Sequence, residues 1–443
     1  MKELEELHVA IIDAGTFVPL AAMFGKVCAR TSYYSPYEQE YLGIERCCIG
    51  DGMAKFDRVD EYMEPSFFDS VDLWVFPDIG FGGLQRYLRS LGKPVFGSMG
   101  ASDLELYRTR FLKVLKECGL PVVKSVVCRG VAALSEHLKT VENKWVKVNR
   151  YRDNMETWHH LDYQHSEREL ERLASIFGPL KDGVVFVVQD PIEGGEDSPV
   201  LEVGYDGWMI TAPDGSPLFP ESSFQGYEKK NQLYLGAEMP YTDLPEAILT
   251  VNEKFAPVLA EYGYRNFVAN EIRVKDKVPH FIDPTDRMAG QTMEHLLRTC
   301  TNLPKVIWKG AHGELVRPEF EKPFAAEATI HYHSNDDGGG WKTFRMPEEA
   351  EDWVSLYRFC YKDGAYHFPP HKCDELGVVS GSGDTVEEAL NDMKEHFELI
   401  KDEPVSIELS GFADLLKQIE DAKKEGIPFS DKPLPDAKIA LET

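Results

Sequence analysis

The first hundred residues alternate runs of buried-strand character with runs of helical spacing, and this rhythm restricts the chain more than any other feature. HVAIID (His8–Asp13), VDLWVFP (Val71–Pro77) and KPVFGS (Lys93–Ser98) read as strands, while FGGLQRYLRSL (Phe81–Leu91) carries helical spacing. Strands that alternate with helices imply a small parallel sheet covered by helices. The turn after the first strand, DAGTFVP, has no GxGxxG. The dinucleotide fingerprint of an oxidoreductase is therefore missing.

At 443 residues the chain exceeds what one core organises, and its pattern changes suggest units at 1–101, 102–320, 321–405 and 406–443. A helix is expected over Asp103–Cys118, stopped by Gly119 and Pro121. Short strands follow at PVVKSVVC, KWVKVN (Lys144–Asn149) and GVVFVVQD (Gly183–Asp190), with a helix over His165–Phe177. Later strands are expected at VLEVGYDG, FVANEIRV (Phe267–Val274) and HFIDP (His280–Pro284), the latter pair preceded by a helix over Leu244–Tyr262. From Phe324 the chain turns β-rich, with ATIHYH, VSLYRFCYKDG and GVVSGSG, and then a helix capped by Asp384 or Thr385. The tail holds one helix (Phe412–Glu425) and a Pro/Asp/Lys-rich end expected to be loose.

Charge narrows the partners. With 75 acidic and 48 basic residues the net charge is −27, a surface that repels a phosphate backbone and excludes polymeric nucleic acid as a partner. A small polyanion can still bind where a few cations share a cleft. Eight scattered cysteines without a CxxC pair favour reduced thiols over a disulfide framework. The acidic N-terminus lacks a signal-type apolar run, and no segment is apolar enough to span a bilayer, so a soluble cytoplasmic protein without a membrane partner is expected.

Glu271 in ANEIRV and Asp283 in FIDPTDR flank a turn at Lys275–Pro279 that reads as a hairpin. Alternation on such a hairpin can aim both carboxylates at one point, a pairing suited to Mg²⁺ on nucleotide phosphates. Arg287, four residues on, could reach the same cleft and stabilise developing negative charge. Solvated charges on an exposed hairpin are the competing reading. In FVVQDPIEGGE (residues 186–196), Gln189 could meet an exocyclic amine, Ile192 pack on a purine and Glu196 accept from ribose hydroxyls; an ordinary strand and turn remains open. Lys147 sits inside the apolar strand WVKV, where it either reaches the edge or meets an anion. Arg150, Arg152, Lys229 and Lys230 are solvated charges taken singly and a phosphate clamp taken with a metal. His331, His333, His371 and Cys373 are read as structural or surface residues rather than a zinc site.

The order of these parts resembles the ATP-grasp superfamily, and within it phosphoribosylamine–glycine ligases, with kinship to biotin carboxylases and D-alanine–D-alanine ligases. The quoted series is YRTRFLKVLKECGLP, WVKV, QDPIEGGE, NEIRV and DPTDR, followed by GSGDTVEEAL. The resemblance covers most of the chain. It implies an α/β (α+β) ATP-grasp fold: an N-terminal parallel α/β pre-grasp domain (1–101), an ATP-grasp domain (102–320, central lobe about 122–192), a small C-terminal β-rich domain (321–405) and a helical tail (406–443). It places Arg108 on the nucleotide, Lys147 on its α- and β-phosphates, Gln189 and Ile192 on adenine, Glu196 on ribose and Lys230 on the triphosphate. Glu271, Asp283 and Thr285 become metal positions and Arg287 the catalytic arginine. The implied cofactors are ATP and Mg²⁺, in one or two sites, with Mn²⁺ as a substitute.

The implied reaction is amide formation through an acyl phosphate, between a small-molecule carboxylate and an amine, with homodimerisation left open. Asp283 replaces a glutamate, Thr285 an asparagine and Gln189 a carboxylate of the family pattern. The glycine-rich loop expected after Lys147 is replaced by NRYRDNMETW, which assigns Arg150 or Arg152 to phosphate or to the substrate carboxylate. The alternatives are an ATP-grasp kinase or carboxylase and a non-catalytic ATP-binding sensor. No AMKM-like biotinyl segment occurs.

Overall fold

The computed structural model describes residues 1–36, 48–150, 157–195, 199–230, 232–333, 341–368, 375–432 and 434–435. The N-terminal rhythm folds as a parallel sheet centred on His8–Ile12, which pairs with Arg30–Tyr34 on one side and Leu73–Phe76 on the other. Asp57–Arg58 and Val95–Gly97 complete the two edges. All five residues of His8–Ile12 are buried, as a parallel strand covered on both faces requires. Val9, Ile11, Leu73 and Val75 pack with helix Val18–Gly25, and Ala10, Ile12, Trp74 and Phe76 pack with Leu88 of helix Gly82–Ser90.

Gly97 pairs with Arg265, and there the sheet changes from parallel to antiparallel. Arg265–Lys275 lies between Leu201–Thr211 and Val278–Thr285. The sheet then continues through Ser222–Lys229, Leu233–Pro240, Phe324–Tyr332 and Glu375–Gly383. The β-rich strands after residue 321 thus extend the main sheet. The Ser222–Lys229/Leu233–Pro240 hairpin is absent from the sequence reading, which took FQGYEKKN only as a basic stretch. Helix Phe412–Lys424 buries Phe412, Leu415, Leu416, Ile419 and Ala422.

A separate four-stranded antiparallel sheet orders as Ser125–Arg129, Val185–Gln189, Lys144–Val148 and Thr157–His160. Val146, Val148, Phe186 and Val188 on one face pack against Leu134, Leu138, Leu170 and Leu173, from helices Val131–Leu138 and Tyr163–Phe177. Alternation sends Lys147 the other way.

Two local expectations are corrected and one is narrowed. The helix expected over Asp103–Cys118 is two helices, Ser102–Leu106 and Arg108–Glu117, with Tyr107 extended between them (φ −119°, ψ 94°). The break has a cause: Asn149 accepts the N–H of Arg108 on its carbonyl at 3.2 Å and the N–H of Thr109 on its side-chain oxygen at 2.8 Å. The orphan donors of the second helix are thus met by another segment. Of the two candidate caps, Thr385 is the one used, its hydroxyl accepting Glu388 N–H at 3.1 Å. Cysteines 28, 118, 128 and 300 are free thiols, but Cys360 is disulfide-bonded. Among the described residues no helix is long and apolar enough to cross a membrane. Residues 433 and 436–443 of the tail end expected to be loose lie outside the described residues.

Candidate functional site

The hairpin delivers the paired carboxylates. Asp276 and Lys277 both take positive φ (51° and 61°), a two-residue turn whose twist suits antiparallel strands. In the resulting register Glu271 lies directly opposite Asp283, and Ala269 opposite Thr285. Glu271, Asp283 and Thr285 line one cleft of 340 Å³, together with Lys230 and Arg287. Gly204 pairs with Glu271, Gly226 with Gly204, and Gly236 with Gly226, so a lane without side chains runs from the carboxylates across the sheet.

Burial dominates the electrostatics of the cleft's carboxylates, although Arg273 lies 3.8 Å from Glu271. Burial, then Glu202 and Asp283, push Glu271 up to about 7. Burial, with Glu271 and Glu202 nearby, raises Glu228 to about 8. Asp206 accepts from Tyr234 Oη at 2.9 Å and Thr292 Oγ1 at 3.0 Å, and burial still raises it to about 7. Glu202 is paired with Arg273 at 3.3 Å.

Basic groups approach from several elements. Arg108, buried at the start of its helix, reaches Asp283 with both terminal nitrogens, at 3.1 and 3.4 Å. The Lys147 side chain is buried, and its ammonium makes no hydrogen bond or ion pair with the described residues. Burial, then Arg108, lowers its ammonium to about 8, while Asp283 and Glu271 act in the opposite sense. Arg150 stacks on Tyr107, its guanidinium 5.0 Å from the ring centre, at the mouth of the same corner. Lys229 turns away to Asp414 at 3.2 Å, whereas exposed Lys230 faces the cleft.

Arg287 is held in place. Its Nε lies 3.0 Å from Glu105 Oε1 and 3.6 Å from Asp78 Oδ1, and one terminal nitrogen donates to the Met288 carbonyl at 2.8 Å. Burial alone would lower its pKa, but Glu105 and Asp78 hold it above the ordinary value. Glu105 also accepts the Asp286 N–H at 3.0 Å. This caging was not legible in the sequence, because Glu105 and Asp78 lie far from Arg287 along the chain. The only hint is that Asp78 follows the end of a parallel strand.

Beside the cleft, Arg108, Phe111, Leu115, Val123, Gln189 and Phe281 line an apolar slot between the four-stranded sheet and the main body. Gln189 donates to Ser125 Oγ at 3.1 Å. The slot holds 20 Å³, room for about one water. Ile192 is half-buried in the linker and does not line it. Glu196, Arg152, His371 and Cys373 lie outside the described residues.

Two adjacent carboxylates fit Mg²⁺ carried by nucleotide phosphates, since that ion keeps few protein ligands. Among the described residues no group of three or more His, Cys, Asp or Glu has the geometry to hold a metal alone. Thr285 lies one step along the strand from Asp283 on the same face.

No protein-family model and no curated protein matches the chain by sequence. Solved structures do resemble it. Phosphoribosylamine–glycine ligase from Thermotoga maritima shares 17% identity over 91% of this chain and 98% of its own, with a TM-score of 0.60. A biotin carboxylase–β,γ-ATP complex from Campylobacter jejuni shares 13% over 90% of this chain and 92% of its own, with a TM-score of 0.57. N5-carboxyaminoimidazole synthase from Aspergillus clavatus, in complex with ADP and 5-aminoimidazole ribonucleotide, shares 12% over 90% of this chain and 100% of its own, with a TM-score of 0.56. Over most of its length, then, this chain has the ATP-grasp fold of these ligases.

Proposed function

We propose that the chain is a cytoplasmic Mg²⁺–ATP-dependent carboxylate–amine ligase that forms an amide through an acyl phosphate, releasing ADP and phosphate. The observation that carries this reading is the meeting, at one cleft, of directly opposed Glu271 and Asp283 with Arg108, buried Lys147 and caged Arg287. The domain limits 1–101, 102–320, 321–405 and 406–443 belong to the same proposal.

The apolar slot receives adenine, with Gln189 at its edge, once the lobe of residues 122–192 swings outward. Lys147 and Arg108 then meet the phosphates, and Arg108 exchanges Asp283 for phosphate oxygen. Mg²⁺ at Glu271 and Asp283, with Thr285 alongside, would neutralise charge on the β- and γ-phosphates. A substrate carboxylate oxygen attacks the γ-phosphorus; the bond to the β,γ-bridging oxygen breaks, and its electron pair leaves with ADP. The amine nitrogen next attacks the carbonyl carbon while Arg287 stabilises the oxyanion. The carbon–oxygen bond to phosphate then breaks, phosphate departs, and the nitrogen loses its proton to water. Because Glu105 and Asp78 fix Arg287 beforehand, little reorganisation accompanies this step. Lobe closure keeps water from the acyl phosphate.

The name of the glycine ligase neighbour points to an amino acid and a small amine as substrates. ADP release across a matrix of amino acids and amines tests the reading, with Asp283→Asn as control. ADP that forms only when both substrates are present, and falls in the variant, supports ligation. Undiminished ADP formation in Asp283→Asn removes the metal assignment, and tight ATP binding without turnover favours a sensor.

A further inference from the structure

The glycine lane beside the paired carboxylates is open at one end and closed at the other. Glu271 stands opposite Gly204, and Gly204 opposite Gly226. The three atoms nearest to a Cβ added at Gly204 are all backbone, at 3.0, 3.7 and 3.8 Å, so no side chain covers that residue closely. At Gly226 such a Cβ would collide with the Tyr234 ring and Asp206 Oδ2. The 340 Å³ cleft thus holds a trough floored by Gly204 and ended by the Tyr234–Asp206 hydrogen bond at 2.9 Å. Glu202 and Asp206 lie two residues to either side of Gly204, and Glu228 two beyond Gly226, so alternation brings all three to the trough's face. All three line the cleft. Glu228 makes no hydrogen bond or ion pair with the described residues. Its carboxyl lies deep although the residue keeps some surface, and burial, Glu271, Glu202 and Asp206 all act on it ahead of Lys230, raising it to about 8. Asp206 is 4% exposed, and Tyr234 and Thr292 meet it with neutral hydroxyls. Mg²⁺ at Glu271 and Asp283 would arrive matched by phosphate, and among the described residues no group of three or more His, Cys, Asp or Glu could hold a further metal. An organic cation would find Glu228 and Asp206 in a desolvated setting, where opposite charges attract strongly.

We propose that this trough binds a non-reacting ammonium of the amine substrate, so that the acceptor is a diamine or polyamine rather than a monoamine; the inference rests on the ligase reading above. One nitrogen, unprotonated, attacks the acyl carbonyl carbon and phosphate departs as described. The other stays protonated and donates charge-assisted hydrogen bonds to Glu228 and Asp206, while the methylenes between them cross the bare backbone of Gly204. Tyr234 and Thr292 keep Asp206 aimed. Reach assigns the cation to the amine and not to the carboxylate donor. Ala269 pairs with Thr285 on one side and with Asp206 on the other, which sets Asp206 two strands, about 10 Å, from the metal edge. The α-ammonium of an amino acid sits next to its own carboxyl group and stays at that edge. A second ammonium on a chain of several methylenes spans the distance.

Three measurements separate the inference from the reading beneath it. The first supplies Mg²⁺–ATP, each amino acid in turn and hydroxylamine, an amine without a second cation. Hydroxamate formation establishes ligation whatever the natural acceptor, and its absence with every carboxylate overturns the ligase reading. The second needs no turnover: 1,4-diaminobutane and butylamine, alike in chain length and different by one cation, are titrated calorimetrically into protein holding Mg²⁺ and a non-hydrolysable ATP analogue. At least about tenfold tighter binding of the diamine is expected, a difference of about 1.4 kcal/mol; equal affinity overturns the proposal. Glu228→Gln keeps the shape of the side chain without its charge and is expected to remove most of that preference. A preference retained in full overturns the assignment to the trough. Should Glu228→Gln fail to fold, Asp206→Asn makes the same comparison at the closed end. The third measures hydroxamate formation from glycine and from acetate, which differ by an ammonium on the carboxylate side. Any difference between them is expected to persist in Glu228→Gln; a glycine preference that the variant abolishes places the cation on the donor and overturns the proposal.

Discussion

Lys147 gives the sharpest stability–function prediction, because its buried ammonium has no partner among the described residues. Burial, then Arg108, brings it from 10.5 to about 8, which disfavours the charged form in the folded protein by about 3 kcal/mol. Lys147→Met keeps the length of the side chain and removes the charge. The nucleotide-free variant is expected to be more stable than wild type by about 1–3 kcal/mol at pH 7. The sign follows from linkage: the folded pKa lies below the unfolded one, so the cost is complete below about 8 and fades as pH rises towards 10.5. The gain from the substitution must fade over the same interval. ATP binding moves the opposite way. Loss of charge-assisted bonds to phosphate, about 1.5–3 kcal/mol, weakens affinity by about 10- to 100-fold. Urea unfolding followed by the fluorescence of Trp145 and Trp158, in the same small sheet as Lys147, at pH 7 and pH 10, reads the first effect. Calorimetric titration with ATP reads the second. A destabilised variant with unchanged ATP affinity would refute the reasoning and make Lys147 a structural residue.

Other perturbations probe neighbouring contacts. Glu105→Gln removes the charge that orients Arg287 and is expected to lower kcat by about 10-fold or more while leaving the KM for ATP near wild type, as for a group acting in the transition state; a matching rise in KM would contradict that split. A Cβ on Gly226 would stand 2.3 Å from the Tyr234 ring and 2.5 Å from Asp206 Oδ2, so Gly226→Ala is expected to cost about 1–3 kcal/mol in urea unfolding through overpacking. Asp206, raised from 3.8 to about 7 by burial, makes the nucleotide-free protein less stable as pH rises from about 4 towards 7, since the fold favours the protonated acid. Asp206→Asn should flatten that slope in unfolding measured at pH 5 and pH 7.5, and an unchanged slope assigns it elsewhere.

The parts legible in the sequence were those whose signal is local. Lys147 declared itself as a charge inside an apolar strand, and the alternation of NEIRV and FIDP was enough to oppose Glu271 and Asp283. The first parallel strands were readable because burial on both faces leaves uninterrupted apolar runs. What stayed hidden depends on contacts between distant segments. Asn149 interrupts the helix at Tyr107 from the end of another strand. Glu105 reaches Arg287 across 182 residues, and the Asp206–Tyr234 pair exists only because two strands place Gly226 beside it. Asp13 looked like the last residue of a strand; its capture of the Gly15 and Phe17 N–H groups appears only once the turn is folded. The hairpin through Ser222–Lys229 was missed because glycines and lysines weaken its strand pattern.

Positional isotope exchange in ATP tests the acyl-phosphate step directly. ATP carrying ¹⁸O at the β,γ-bridge is incubated with protein, Mg²⁺ and a carboxylate substrate, with no amine present. Reversible transfer to the carboxylate frees the β-phosphate of bound ADP to rotate, so label is expected to scramble into the non-bridging positions. Scrambling should require the carboxylate and disappear in Glu271→Gln. Label that stays in the bridge with every carboxylate, while amide still forms once amine is added, would contradict an acyl-phosphate intermediate that forms reversibly ahead of the amine.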